Sequence, residues 1–208
     1  MTDRELLIPV GHDLGVLYSG GGTEQRKQQV RVGVEVAELE DQEYAVWLLA
    51  HGADNEDRPN RESLAQRATA LGLPGWTVEP AIERFLGDGL MVAVEPAGDN
   101  AVEFAQEHQL FPLLHGLGPD PDEPWLHTIG MLNQPIAQVS NAVYDVWAWT
   151  QLAPELWSGC QDAAKVAQQV GVTSPEETEP RRVLAGVLGQ VHGLLCVRAA
   201  YFDRRRMR

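Results

Sequence analysis

The stretch TVEPAIERFLGDGLMVAV, Thr77 to Val94, changes its period half-way. Ile82, Phe85 and Leu86 recur at helical spacing. Thr77 stands where a helix cap belongs, and Pro80 sits early enough that its missing N–H costs little. Gly87 and Gly89 end the helix, and Leu90–Val94 follows as an apolar run of strand length. What flanks this stretch can be read outward from it. Upstream, Asn60 caps a second helix with Glu62 and Ser63 in its first turn and Leu64, Ala68 and Leu71 on one face; Gly72–Gly75 makes the turn. Before that, Asp41 caps a first helix, with Tyr44, Trp47, Leu48 and His51 on one face and Gly52 at its end. Downstream, Pro96–Asn100 has turn composition and Ala101–Ala105 can return as a partner strand, so Leu90–Ala105 reads as a β-hairpin.

Further out, Leu6–Val10 and Leu14–Tyr18 read as strands joined through Gly11–Asp13, and Gly20–Gln29 reads as a flexible loop. Val30, Val32, Val34 and Val36 alternate with polar or small residues, the period of a half-buried strand. This predicts three strands before the first helix. Beyond Glu107, HQLFPLLHGLGPDPDEPW is rich in Pro and Gly and reads as an ordered loop with a short helical piece. Helices are predicted over Asn141–Leu152, Leu156–Val170 and Arg181–Phe202, with an acidic loop at Thr173–Pro180. The sequence shows no internal repeat and no low-complexity tract. The expected fold is α+β and mostly helical: a strand-hairpin and three-helix domain over 1–107, then a helical domain over 108–208.

The order helix, helix, turn, helix, hairpin over Asp41–Ala105, with the phrase FLGDGLMVAV, resembles the winged helix-turn-helix superfamily. That resemblance implies a third helix placed for DNA. The longer span His12–Val94, strands and then three helices, is also similar to peptide-recognition domains of the PqqD-like type, although the long Gly20–Gln29 loop and the large C-terminal half depart from that pattern. This second resemblance implies that a leader peptide is bound as an added strand beside the third helix.

Charge separates the two implications. The chain carries 16 Lys+Arg and 30 Asp+Glu, a net −14. Over Thr77–Glu107 the single cation is Arg84, against Glu79, Glu83, Asp88, Glu95, Asp99, Glu103 and Glu107. Each phosphate contact needs a cation to release counterions, so this surface repels a DNA backbone. The route left to DNA is a homodimer presenting Arg58, Arg61, Arg67 or the Arg204–Arg208 tail. No apolar run reaches the roughly 18 residues of a membrane span, and MTDRELLIPV lacks the features of a signal peptide, so a cytoplasmic protein is expected.

Catalytic patterns are missing. There is no GxSxG, no P-loop and no GxGxxG after a strand. The six histidines show no metal spacing, and Cys160 and Cys196 form no CxxC pair. DPDEPWLH, Asp120 to His127, could gather a cation, but it reads more simply as a solvated acidic loop. The reading is therefore a non-enzymatic regulator or adaptor without cofactor or metal. Its partner is a basic protein or peptide, docking as a strand in a groove beside Arg31–Glu35 and Glu79–Arg84, with Arg31, Glu35, Glu79, Glu83 and Arg84 as the binding residues. The alternative is a DNA-binding transcriptional regulator whose C-terminal region dimerises or senses a ligand.

Overall fold

The computed structural model describes residues 5–18, 26–54 and 56–205. The expectation of a mostly helical chain is overturned. Among the described residues helix accounts for 46% and strand for 28%, with ten strands in four small antiparallel sheets set between the helices.

In the first half, β1 (Leu6–Pro9), β2 (His12–Tyr18), β3 (Arg26–Val32) and β4 (Glu35–Leu39) precede α1 (Asp41–Leu49), α2 (Arg61–Ala70) and α3 (Gly75–Asp88); β5 (Met91–Val94) follows. Four strands stand where three were expected, because Val30–Val36 turns back on itself at Gly33 and Val34 and pairs Val32 with Glu35. Of the expected loop Gly20–Gln29, residues 20–25 lie outside the described residues and the rest belong to β3. Asn60 caps α2 as expected, in a reciprocal box with Ser63. α1 is instead capped by Glu40 in a box with Glu43, and α3 begins at Gly75 behind Pro74, ahead of Thr77.

The hairpin expected over Leu90–Ala105 does not form. β5 pairs with β1, Leu6 opposite Val94 and Pro9 opposite Met91. The expected return strand is helix α4 (Asp99–Glu107), since Ala101, Phe104 and Ala105 bury one helical face.

The second half is not a helical domain either. β6 (His108–Pro112), β7 (His115–Pro119), β8 (Leu126–Met131) and β9 (Gln134–Ser140) occupy the stretch expected to be mostly loop. Then come α5 (Asn141–Trp149), a 3-10 turn (Thr150–Leu152), α6 (Leu156–Gln169), α7 (Pro175–Thr178), α8 (Pro180–Leu195) and β10 (Ala200–Arg204). The helix expected to reach Phe202 stops at Leu195. Arg198 takes φ 55° there, the Ala199 N–H bonds back to the Leu194 carbonyl, and the remaining apolar residues pair with β6 as a strand.

The two halves repeat one architecture, which corrects the expectation of no internal repeat. Each runs strand, three-stranded meander, three principal helices, strand, with the last strand pairing to the first: β1 with β5, β6 with β10. The details recur as well. Gly15 and Gly118 both have positive φ, 81° and 95°, at register breaks in β2–β3 and β7–β8. The Trp47 indole donates to the Leu90 carbonyl (3.1 Å), and the Trp147 indole donates to the Ala199 carbonyl (3.0 Å), each acceptor immediately preceding its closing strand. The Val10 N–H bonds to the same Leu90 oxygen and the Leu113 N–H to the same Ala199 oxygen. α2 and α6 end alike, with Leu73 N bonded to Ala68 O and Val172 N to Ala167 O. With this register fixed, the sequence echo is plain. LLIPVGHDLG (6–15) and QLFPLLHGLG (109–118) share Leu, Pro, His, Leu and Gly, and VAELEDQEYAVW (36–47) and IAQVSNAVYDVW (136–147) share Ala, Tyr, Val and Trp.

One core serves both units. Ile8, Phe85 and Met91 of the first and Leu110, Val191 and Phe202 of the second belong to the same buried cluster. The seam is tied by backbone too: Val10 bridges Phe202, and the Gly11 N–H donates to the Phe202 carbonyl at 2.7 Å. α4 wedges in from the side, its Phe104 ring meeting Phe202 edge-on at 5.0 Å. Among the described residues no helix is long and apolar enough to cross a membrane.

Candidate functional site

The meander order β2-β3-β4 leaves β4 at an edge, and no strand among the described residues pairs with its outer side. Glu35, Val36 and Glu38 on this strand are exposed. An open edge offers a row of backbone donors and acceptors to an incoming strand.

The five residues read from the sequence do not form one cluster. Arg31 points across the seam between the units, its guanidinium donating to Asp203 at 2.7 Å, to the Gly33 carbonyl at 2.8 Å and to the Tyr201 hydroxyl at 3.3 Å. Glu35 faces Arg204 at 3.9 Å. Glu79 and Glu83, one helical turn apart on α3, both grip Arg61 of α2. Arg84 binds Glu43 of α1 and Asp88 of its own helix. These hydrogen bonds to carboxylates, that to Glu43 first, raise the Arg84 pKa above its ordinary value. What joins the strand end of this surface to its helix end is Arg204, which meets Glu35 and also donates to the Asp88 carbonyl at 3.0 Å. Arg206 and Arg208 of the basic tail lie outside the described residues.

These pairings bear on the DNA reading. Arg61 and Arg84 are held by carboxylates, and Arg67 of α2 is paired with Asp57. Around them stand Glu35, Glu38, Glu40, Asp41, Glu43, Glu79, Glu83 and Asp88, with Lys27 bound to Glu40. The surface that joins β4, α1 and α3 is acidic.

A second polar knot was not legible in the sequence. Asp13 accepts from the Tyr44 hydroxyl (2.7 Å) and the Gly15 N–H (2.9 Å) and pairs with Arg198 of the second unit (2.8 Å). Burial pushes the Asp13 carboxyl up, but Tyr44, Gly15 and Arg198 outweigh it and hold it below the usual carboxylate range. The second unit keeps the tyrosine and lacks the acid. Gly116 stands where Asp13 does, and a Cβ there would run into the Tyr144 hydroxyl. The Tyr-x-Val-Trp echo is the one sequence signal that could have pointed to this pair.

Several other chemistry-bearing residues are engaged in internal contacts. His51 donates from Nδ1 to the Trp47 carbonyl, and His108 contacts the Phe104 carbonyl at 2.9 Å. His127 meets the Asn141 side chain at 2.7 Å and stacks on Tyr144. Asp120 shapes its own turn, accepting from the Asp122 and Glu123 N–H groups and from Gln138. Among the described residues no group of three or more His, Cys, Asp or Glu is arranged to hold a metal ion. Cys160 is buried and its thiol is pushed up to about 12, so it stays protonated and unreactive. No family model, curated protein or solved structure matches the chain. The geometry shows an open sheet edge on an acidic, ion-pair-braced surface.

Proposed function

We propose that this protein is a non-enzymatic binding protein, a regulator or adaptor, that takes up a basic, extended segment of a partner protein as an added strand along β4. The observation that supports this reading most is that β4 is an edge strand standing on the acidic surface shared with α1 and α3. Backbone hydrogen bonds along the edge would supply affinity without much sequence demand, and the carboxylates would select positive charge and speed encounter. Arg31, Glu35, Glu79, Glu83 and Arg84 act in this reading mainly as braces that fix the strand and helix flanking the groove, and a basic segment would compete for Glu79 and Glu83. A cytoplasmic location goes with it and is supported by Cys160 and Cys196, neither of which is in a disulfide.

The test is fluorescence anisotropy with a labelled Lys/Val-alternating peptide of about ten residues, against a Glu/Val peptide of equal length and a random DNA duplex. The basic peptide should bind, weaken as salt is raised, and bind at least tenfold more weakly to Glu38→Lys. Equal binding of both peptides, no loss with Glu38→Lys, or preference for the duplex would overturn the reading.

A further inference from the structure

The second unit carries a cleft on the outer side of its helices. It lies between α5, the 3-10 turn and α6, encloses about 480 Å3 and is lined by Trp149, Leu152, Pro154, Ala163 and Val166 together with two acids, Asp145 and Asp162. That volume is within the range of small-molecule sites, roughly 300–1,000 Å3.

The acids are placed in parallel. Asp145 and Trp149 are one turn apart on α5, and Asp162 and Val166 are one turn apart on α6. Each wall thus carries a carboxylate and an apolar group. Neither carboxylate has a hydrogen-bond donor or an ion-pair partner among the described residues. Trp149 is 65% exposed and Leu152 75% exposed, although both stand beside well-buried neighbours, Trp147 and Thr150. In the first unit the matching positions are Ala45, Leu49, Ser63 and Arg67, and Arg67 is tied to Asp57. The paired acids belong to the second unit alone.

The cleft is also built rather than incidental. Buried Gln109 points its amide nitrogen at three carbonyls of the turn, Thr150 at 3.2 Å, Gln151 at 3.1 Å and Ala153 at 2.7 Å. On the opposite wall Gly159 lets α6 close on Thr150, since a Cβ there would collide with the threonine methyl. One internal polar side chain is committed to holding the floor and rim of a cleft whose acids make no ion pair among the described residues, although the His127 ring lies close enough to favour the charged form of Asp145.

From this arrangement we infer that the cleft is a binding site for a small organic cation, an ammonium group carried on an apolar body. The ammonium lies between Asp145 and Asp162, donating to both carboxylates. The apolar body lies against Trp149, Leu152 and Pro154, with the indole face adding cation–π attraction. A second copy of the chain is a poor occupant: a two-fold contact through this face would oppose the Asp145 and Asp162 pairs of both copies, and each copy carries a net −14. Burial already pushes the Asp145 carboxyl above its ordinary range, and a bound cation reverses that cost.

The experiment uses the intact protein with 2-phenylethylammonium as probe and 2-phenylethanol as its neutral counterpart. Binding is followed by the indole N–H resonance of Trp149, assigned through its loss in Trp149→Phe, and by calorimetry. The ammonium should shift that resonance saturably. The alcohol, Asp145→Asn and Asp162→Asn should each weaken binding at least tenfold. Thermal melts of the two Asn variants confirm that they are folded. Three results would overturn the inference: no shift with the ammonium, equal binding of the alcohol, or concentration-dependent self-association through Trp149 that the ammonium leaves unchanged.

Discussion

His192 is fully buried, and its Nε2 donates to the Leu7 carbonyl at 3.1 Å, so the ring is held in one neutral tautomer. Burial lowers its pKa from 6.5 to about 4. Between those values the unfolded chain binds a proton that the folded chain refuses, so stability is complete above about pH 6.5 and is lost as the pH falls toward 4. The size is about 3 kcal/mol for this one group. Urea midpoints measured across that interval should fall with acid, and His192→Gln, which keeps a donor toward Leu7 and removes the titration, should flatten the slope. An unchanged slope would assign the acid sensitivity elsewhere. Nothing in the sequence marks His192, because the carbonyl that its ring meets lies 185 positions away. The same holds for Arg31, whose charge was visible but whose acceptor, Asp203, is 172 positions distant.

Trp47 and Trp147 perform one task in two places, an indole N–H closing onto the carbonyl that precedes the last strand of each unit. Replacing either by Phe removes one of the two donors to that carbonyl and leaves a small void, at a cost of about 1–3 kcal/mol. Chemical denaturation of Trp47→Phe and Trp147→Phe should show comparable losses; a large loss in one and none in the other would mean that the units do not use the residue alike. Legibility differed sharply among the elements. α2 was readable because its cap at Asn60 agrees with its apolar period, and α5 and α6 because their apolar residues recur at helical spacing over a helical length. β6 and β7 were not, because HQLFP and HGLGP carry the Pro and Gly that ordinarily mark loops, and they become strands only through partners supplied by β10 and β8. β10 was hidden for the opposite reason. Its apolar residues continue those of α8, and only the positive φ at Arg198 separates them. Of the candidate site, the acidic surface was legible as composition, and the open edge of β4 was not, since Val30–Val36 reads as a single alternating strand.

The units are joined by more than their shared core. Asp203, almost wholly buried, accepts from Arg31 and from the Gly33 N–H at 2.6 Å, so one carboxylate of β10 finishes the β3–β4 turn of the other unit. Removing it leaves the Arg31 guanidinium without its counter-charge, a change that costs roughly 3 kcal/mol or more in buried pairs and less at a half-exposed arginine such as this one. Wild type and Asp203→Ala should each unfold in a single transition, the variant at lower urea with an unchanged slope. Two separated transitions in the wild type would show that the units are energetically independent. The repeat itself escaped the sequence because the shared residues are thinly spread and meet only when each strand is set in register. The tie from α8 to β1 also has a consequence in time. A ribosome adds about 5–20 residues per second, and the Leu7 carbonyl waits for His192, 185 positions later. For roughly ten to forty seconds of synthesis the N-terminal strand lacks the partner that finally seals it, so nascent chains stalled before α8 should be cut by protease near Leu7 while released chains resist.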